Sequence, residues 1–542
     1  MDSNNVQYFP SVLVLKGYQF VATYRDPGLE KYCGNPLIEA LPKILTRDEA
    51  IRRLAYFPPY KKSQRNEPAH LRLHLIQSTL EFFSPLGIHI DLEQKISRMI
   101  RMGLQARNPL LPGFWVGVNQ QVQSIDPNGF VPRRQRSMAK SLTIIGVSGV
   151  GKSTAVEEIL LTYPQVINHN HYQDQNFTFK QIVWLKLECP QDGSIKGLCL
   201  NFFQAVDDLL GSSYHKNYAK SRRTIDELIP DVARVAAIHC IGVLVIDEIQ
   251  NLSETKSGGS KKMLNFFVQL INTIGLPLVL VGTYKAWSVL GDEFRQIRRG
   301  TGQGDLVWDP IKEDDTWKTF SKSLWRYQYL QNFCPLTPEL SHALYYECQG
   351  ITDFAVKLYM LAQVRAIATG KETITKSIIK SVAKDCLRTA RTVLDALKET
   401  NPDKSRKMLM KCEDVKPIDL EPFIEEALEN LPDEDQLSST PKAHESSVSC
   451  EIEEHSTTEL PEQSSNFPEP DPIAAQKNVP TSTEAKTSKK QSKPSNKTCS
   501  SQNSLPDIVA EAEKSGKTAY EVLNQKAYIR PATEYIMEEI AI

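Results

Sequence analysis

The sequence lacks an excess of charge, paired cysteines and long apolar runs. Its 64 Lys and Arg residues stand against 65 Asp and Glu, so a surface for nucleic acid would have to be a local patch. The 10 cysteines include no CxxC pair and no histidine at ligand spacing, which favours reduced thiols over structural zinc. No apolar stretch has the length of a membrane span, and the first residues lack a basic signal-peptide start. We therefore expect a soluble, cytoplasmic protein.

A chain of 542 residues exceeds what one hydrophobic core usually organises, and its composition changes along its length. Residues 1–135 mix short apolar segments with Pro and Gly, and Ile96, Met99 and Ile100 share a helical face. We expect a partly helical N-terminal region there that docks partners. Within 136–312, five apolar segments separated by helix-length stretches predict a parallel α/β sheet covered on both faces. These segments are SLTIIG, QIVWLKLEC, GVLVIDEI, LPLVLVG and LVWDPI.

Three further parts follow the predicted sheet. Residues 313–398 have helical periodicity divided by Pro, Gly and Thr, which predicts a helical lid. Residues 399–504 are dominated by Ser, Thr, Pro, Glu and Lys, so we expect a disordered linker and hence a disordered C-terminal tail. Residues 505–542 regain apolar residues. We interpret them as a C-terminal partner-binding segment, with a frayed terminus as the open alternative.

The segment GVSGVGKS at 146–153 has the spacing of a phosphate-binding loop (Walker A). Its glycines let the chain turn tightly enough to aim backbone N–H groups at a polyphosphate. We expect Lys152 to contact the β- and γ-phosphates and Ser153 to offer its hydroxyl to Mg²⁺. The expected nucleotide contacts are Gly146, Val147, Ser148, Gly149, Val150, Gly151, Lys152, Ser153 and Thr154. The loop predicts ATP and Mg²⁺ as the bound cofactors.

A second motif, of the Walker B type, lies where the apolar run Val243 to Ile246 ends in two acids. Asp247 can hold Mg²⁺ through its water shell, and Glu248 can orient or polarise a water for in-line attack on a phosphate. Thr283 ends the next apolar run, which predicts a sensor residue between the two motifs. A GTPase is disfavoured because no NKxD segment is present, and a kinase because no HRD loop with a DFG partner occurs.

An arginine group follows Thr283 and consists of Arg295, Arg298 and Arg299. One of these residues is a candidate arginine finger, supplied to the γ-phosphate of a neighbouring subunit. The open alternative is that the group complements the C-terminal dipole of its own helix.

The two Walker motifs, Thr283, the arginines and the lid together resemble the AAA+ class of ATPases, whose members assemble as rings or helical filaments. Within that class, several segments resemble the TnsC family, the ATPase regulators of Tn-seven-like transposons. The resemblance covers about residues 20–395. It rests on YRDPGLEKYCGNPLIEALP, FFSPLGIH, ISRMIRMGLQARNP, CLNFFQAVDDLLGSSY, VIDEIQNLS, SGGSKKMLNFF and FRQIRRGTGQG.

The resemblance implies an ATPase that oligomerises on duplex target DNA. It would connect a TniQ- or TnsD-like target-selection protein to a TnsA- or TnsB-like transposase, and ATP hydrolysis would reset the assembly. The same resemblance implies that Lys357 is a second sensor, where AAA+ proteins usually have Arg. Arg107, Asn108 and Pro109 lie just upstream of the core, where such proteins often build the adenine pocket, with a structural turn as the equal alternative.

Basic residues at the start of one predicted helix and in a following loop are our candidates for DNA contact. They are Lys196, Lys216, Lys220, Arg222 and Arg223. Lysines and arginines lined against phosphates are sufficient for non-specific duplex binding. A solvated charged face is the open alternative for this group. Two other functions also stay open: a helicase loader or replication initiator with the same AAA+ core, and a nucleotide switch that does not hydrolyse ATP.

Overall fold

Two β-sheets and the helices around them form the described part of the computed structural model. The structure describes residues 6–8, 17–111, 114–115, 140–220, 222–254, 265–268, 270–271, 274–286, 304–412 and 418–431. These residues belong to one unit of the chain, Met1–Ala443, and the second unit, His444–Ile542, lies outside them. The described strands are β1 (Val6–Tyr8), β2 (Tyr18–Val21), β3 (Ser141–Gly146), β4 (Val166–Tyr172), β5 (Gln175–Ile182), β6 (Trp184–Glu188), β7 (Val243–Asp247), β8 (Leu278–Gly282) and β9 (Gly304–Trp308).

The central sheet has the strand order β6-β7-β8-β3-β9, and all its pairings are parallel. Strands β3, β7 and β8 are buried along their whole length, which explains their continuous apolar sequences. The predicted parallel sheet is therefore confirmed, with each of the five apolar segments contributing one strand. Because β7 and β8 lie next to each other and β8 lies next to β3, the carboxyl ends of these three strands meet at one sheet edge.

The second sheet, of order β1-β2-β4-β5, has no counterpart in the sequence-based expectation. Its strands β4 and β5 form an antiparallel hairpin around Gln173, which has a φ of +50°. The predicted strand QIVWLKLEC is divided at Val183, because β5 ends at Ile182 and β6 starts at Trp184 in the other sheet. Strand β2 pairs in parallel with β4 and antiparallel with β1, so the N-terminal region contributes two strands to the sheet of this hairpin.

Helices cover the sheets and build the lid. Before the phosphate loop they are α1 (Pro36–Glu39), α2 (Arg47–Leu54), α3 (Ala69–Gln77) and α4 (Gly87–Gln105). In the ATPase core they are α5 (Lys152–Leu161), α6 (Ile195–Leu210), α7 (Tyr214–Tyr218) and α8 (Ile225–Ile238). In the lid they are α9 (Asp315–Leu324), α10 (Pro338–Cys348), α11 (Thr352–Ala368), α12 (Lys376–Cys386) and α13 (Arg391–Lys398). After the lid come α14 (Pro402–Leu409) and α15 (Glu421–Glu429). None of the described helices is both long and apolar enough to cross a membrane.

The N-terminal region packs against both the core and the lid. Helix α4 buries Ile96, Met99 and Ile100 completely, as their spacing predicted, and it lies against β7. Gly103 allows this approach, because a Cβ there would lie 2.4 Å from a side-chain carbon of Pro277. Helix α3 packs against the lid helix α11. Residues from the first hundred positions therefore connect the sheet with the lid.

The prediction of disorder from residue 399 is wrong for two short segments. Helices α14 and α15 lie inside the predicted linker, and α15 packs on α11. Ile424 and Ala427 are buried in this contact because they share one face of α15, although the composition around them is acidic and polar. The rest of the linker from 432 and the predicted C-terminal partner-binding segment at 505–542 lie outside the described residues.

Candidate nucleotide site

The phosphate loop joins the end of β3 to the start of α5. Gly149 and Gly151 have φ angles of +83° and +90°, a conformation that L side chains rarely adopt. Gly146 lies so close to β9 that a Cβ would lie 2.3 Å from the backbone oxygen of Trp308. No side chain caps the N-terminus of α5, which begins at Lys152. The loop therefore has the backbone shape and the helix dipole that an anion site needs.

Lys152 folds back over its own loop. Its Nζ donates hydrogen bonds to the carbonyl oxygens of Gly146, at 3.0 Å, and Val147, at 2.8 Å. The side chain is 7% exposed. Its ammonium group is therefore held inside the loop, where phosphate is expected. Phosphate oxygens can replace the two carbonyl oxygens as its hydrogen-bond acceptors.

Asp247, the last residue of β7, is buried and held on both carboxylate oxygens. Its Oδ1 accepts from the backbone N–H of Glu248 at 2.9 Å, and its Oδ2 lies 3.2 Å from Lys186 Nζ. Lys186 also pairs with Glu157 of α5 at 2.8 Å. Burial alone would lower the pKa of Lys186, but the two carboxylates outweigh it and raise the pKa above its usual value. Lys186 therefore ties the Walker B strand to the helix of the phosphate loop.

Glu248 and Thr283 come together through Gln250. Glu248 has a φ of +56°, and its Oε2 accepts a hydrogen bond from Gln250 Nε2. The amide oxygen of Gln250 accepts from the backbone N–H of Thr283 at 3.1 Å. The Thr283 hydroxyl oxygen is buried and has no hydrogen-bond partner in the described part of the chain. Because most buried polar groups are hydrogen-bonded, this hydroxyl retains an unused capacity to donate and accept.

The lid contacts the phosphate loop through the first turn of α11. The backbone N–H of Asp353 donates to the Gly149 carbonyl at 3.1 Å, and the Thr352 hydroxyl lies 3.4 Å from the same oxygen. Lys357 lies one turn further along α11, where its Nζ is 2.9 Å from a carboxylate oxygen of Asp353. The predicted second sensor is therefore paired within the lid, next to the phosphate loop.

These residues fit a magnesium nucleotide. The loop amides and Lys152 match a polyphosphate, whereas the Ser153 hydroxyl and the Asp247 carboxylate are the oxygen ligands that Mg²⁺ prefers.

Two residues of this site, Lys186 and Gln250, were not predicted from the sequence. The signal for Lys186 was a charge inside an apolar run predicted to be buried on both faces, since buried charges are normally paired. Gln250 gave a weaker signal, as a polar residue two positions after the Walker B glutamate.

Other predicted site residues have different surroundings. The arginine group, Arg295, Arg298 and Arg299, lies outside the described residues. Arg107 donates to the carbonyls of Gly103 and Ile241, at 2.8 and 2.9 Å, and Asn108 Nδ2 donates to the Gly34 carbonyl at 2.8 Å. Both side chains thus fasten the end of α4 to neighbouring backbone, while Arg107 Nη2 is buried without a hydrogen-bond partner in the described part of the chain.

The candidate DNA-contacting residues do not form one uniform surface. Lys216 on α7 and Lys220 and Arg222 just after it are exposed, whereas Lys196 in the first turn of α6 is partly buried. Arg223 is paired with Asp231 at 2.6 Å. Its charge is therefore neutralised within the fold, which favours a structural role for this residue. The exposed cluster of Lys216, Lys220 and Arg222 is called the α7 basic cluster below.

The chain is similar to one family model and to several solved structures. Residues 134–290 match the family model of the AAA domain. The fold is similar to solved structures of the ORC1 protein of Aeropyrum pernix in complex with DNA (14% identity, 61% of this chain and 84% of that chain, TM-score 0.32) and of Cdc6p from Pyrobaculum aerophilum (13%, 60% and 86%, 0.32). A Walker-type ATPase of Pyrococcus abyssi is also similar (13%, 58% and 86%, 0.28). No curated protein sequence matches the chain.

Residues 134–290 therefore match an AAA domain. The parallel sheet of the chain, with its flanking helices, is of the AAA+ type, which confirms the fold expected from the sequence.

Proposed function

We propose that the chain is a magnesium-dependent ATPase. The observation that carries this proposal is the meeting of three strand ends at one sheet edge, where β3 presents the phosphate loop, β7 presents Asp247 and Glu248, and β8 presents Thr283. The lid closes this edge through its contacts with Gly149. Parallel α/β sheets bind their ligands at the carboxyl ends of the strands.

Each residue has a distinct task in hydrolysis. Lys152 would exchange its two loop carbonyls for phosphate oxygens, and Ser153 and Asp247 would hold Mg²⁺. Mg²⁺, when bound, neutralises charge on the phosphates. Glu248 orients and polarises the attacking water. The Thr283 hydroxyl forms a hydrogen bond with that water or with the terminal phosphate.

Two substitutions test the ATPase proposal. Lys152→Ala should abolish nucleotide binding, because it removes the cation of the phosphate loop. Glu248→Gln should keep nucleotide binding and lower turnover by about 100-fold or more, since a carboxylate is replaced by an amide of the same shape. Binding of a fluorescent ATP analogue and phosphate release are the two measurements. Glu158→Gln, on the same helix as Lys152, is the control and should leave both values unchanged. Equal phosphate release by wild type and Glu248→Gln would contradict the assigned role of Glu248.

The biological role that we propose is regulation of DNA transposition. Its support is the sequence resemblance to the TnsC family over about residues 20–395. In this role the ATP-bound chain oligomerises on duplex target DNA and connects a TniQ- or TnsD-like target-selection protein to a TnsA- or TnsB-like transposase. The trans-acting finger would come from Arg295, Arg298 or Arg299.

The α7 basic cluster provides the test of DNA binding. Replacing Lys216, Lys220 and Arg222 by Glu should weaken binding to duplex DNA and reduce its salt dependence. Each phosphate contact that is lost lowers the number of counterions released from the DNA on binding. The matched control replaces Lys376, Lys380 and Lys384, three exposed lysines of α12. Fluorescence anisotropy with labelled duplex at several salt concentrations measures both effects. Equal losses in the two triple variants would assign the effect to net charge and contradict a DNA-contacting role for the cluster.

A replication initiator or helicase loader is the competing function with the same AAA+ core. Stimulation of strand transfer by a transposase encoded beside this protein, dependent on ATP, is the result expected from our proposal. Loading of a replicative helicase onto DNA without any effect on strand transfer would replace it with the competing function. Deletion of residues 505–542 should preserve ATPase activity and weaken association with the transposase.

A further inference from the structure

Gln250 lies between the ends of two neighbouring strands of the central sheet. It follows β7 by three positions, its side chain contacts the backbone after β8, and it is only 3% exposed. Its amide nitrogen donates to the carboxylate of Glu248, and its amide oxygen accepts from Thr283 N–H. One buried side chain thus connects the proposed water-orienting carboxylate with the proposed sensor residue.

The orientation of this amide is fixed by chemistry. A backbone N–H can only donate, so the Thr283 N–H requires the oxygen of Gln250 to face it, and the NH₂ group must then face Glu248. Gly282 leaves the room for this arrangement. A Cβ at Gly282 would lie 2.9 Å from the amide oxygen of Gln250 and 2.7 Å from a side-chain carbon of Ile249.

The backbone around Glu248 is fixed independently of Gln250. The Glu248 N–H donates to Asp247 Oδ1 at 2.9 Å, and the Glu248 carbonyl accepts from Asn251 N–H at 3.0 Å. Asn251 is itself anchored, because its side-chain amide donates to the Cys189 carbonyl at 2.9 Å. The freedom that remains to Glu248 is the rotation of its side chain, and the hydrogen bond from Gln250 restricts this rotation.

We propose that Gln250 is a positioning residue. It holds the Glu248 carboxylate in an orientation that depends on the position of Thr283. This inference rests on the proposed ATPase activity. If contact at the Thr283 hydroxyl displaces the end of β8, the Gln250 amide oxygen moves with the Thr283 N–H. The Gln250 amide nitrogen then moves as well, and it shifts the Glu248 carboxylate that it binds. Gln250 therefore connects sensing at β8 to water orientation at β7.

Gln250→Met is the direct test, because methionine has a similar length and lacks both polar groups. We expect kcat to fall by about 10- to 100-fold, as for a misplaced catalytic group, with KM and the affinity for a fluorescent ATP analogue changed less than about twofold. Gln250→Glu, which turns the donor into an acceptor facing Glu248, should lower kcat at least as much. Retained nucleotide affinity shows that each variant is folded. Gln204→Met, on α6, is the control and should change none of these values.

A double-mutant cycle tests whether Gln250 acts through Glu248. Under single-turnover conditions, Gln250→Met should lower the rate of the Glu248→Gln chain by less than about twofold, because the group it positions is already gone. An equal loss in both backgrounds, or an unchanged kcat for Gln250→Met in the wild-type background, would overturn this inference while leaving the ATPase proposal intact. A wild-type chain that binds ATP and releases no phosphate would refute the ATPase proposal itself, and this inference with it.

Discussion

A buried ion pair fastens the N-terminal region to the lid, and its removal should release α3 from α11. Arg72 of α3 binds both carboxylate oxygens of Glu372, at 2.9 and 2.8 Å, and the two side chains are 2% and 12% exposed. Arg72 also donates to the carbonyls of Glu67 and Tyr329, both at 2.9 Å. The N–H of Gln331 donates to Glu372 Oε2 at 2.9 Å. Arg72 therefore joins the N-terminal region to the lid through Glu372 and Tyr329, whereas its bond to Glu67 is local.

The cost of breaking this pair follows from its burial. Glu372→Leu leaves a guanidinium buried without its counter-charge, and Arg72→Met leaves a buried carboxylate, so each should destabilise the contact by about 3–5 kcal/mol. The double variant removes both charges and leaves only neutral backbone groups without partners, at a cost of about 1–3 kcal/mol. We therefore expect the double variant to be more stable than either single variant.

Hydrogen exchange is the assay that fits this prediction, because it gives the free energy of local opening in a large chain. Peptides from α3 and α11 should exchange faster in each single variant and recover part of their protection in the double variant. The control is Lys318→Met, which removes an exposed pair with Asp315 on α9 and should leave protection unchanged. Additive losses in the double variant, or single variants that exchange like wild type, would refute the assigned role of the ion pair.

Three further predictions concern the core. Gly146→Ala should weaken ATP binding at least about tenfold, measured with a fluorescent analogue, because the new Cβ has to displace the Trp308 backbone oxygen at 2.3 Å. Lys186→Met should destabilise the fold by about 3 kcal/mol in urea unfolding, since it leaves Asp247 and Glu157 without their shared cation, whereas Lys186→Arg should retain most of the stability. Burial lowers the pKa of His169 to about 4 from 6.5, so only the unfolded chain takes up this proton between those values. Stability should therefore fall as pH decreases from 6.5 toward 4, by about 1.4 kcal/mol per unit for this residue, and the slope should be smaller in His169→Gln.

Much of the central sheet and of the nucleotide site could be predicted because the signals are local. A strand buried on both faces is a continuous apolar run, and a phosphate loop is a short pattern with glycine at positions where φ is positive, as at Gly149 and Gly151. The contacts that hold the site are of another kind. Arg72 and Glu372 are 300 positions apart, so neither sequence neighbourhood contains information about the other.

The hairpin β4–β5 and helix α15 were not predicted from the sequence, for the same physical reason. Hairpin β4–β5 and helix α15 each bury only part of their surface, so their apolar residues are few and are diluted by polar neighbours. A short amphipathic segment hardly changes the mean composition of a window as long as 399–504. A prediction based on periodicity within windows of about ten residues would have been sensitive to Ile424 and Ala427, which lie three positions apart on one helical face.

The charged groups of the site have partners within the fold. Lys152 is bonded to loop carbonyls, Asp247 to Lys186, and Lys357 to Asp353. A nucleotide that recruits Lys152 or Lys357 has to replace these contacts, so binding gains only the difference between old and new partners. Asp247 differs, because each of its carboxylate oxygens has one partner, the Glu248 N–H or Lys186, and still keeps a lone pair for a metal-bound water. In the proposed function, the two lysines would exchange partners when nucleotide binds, whereas the carboxylate proposed to hold the metal is already fixed in place. We therefore expect the conformational response in the phosphate loop and the lid.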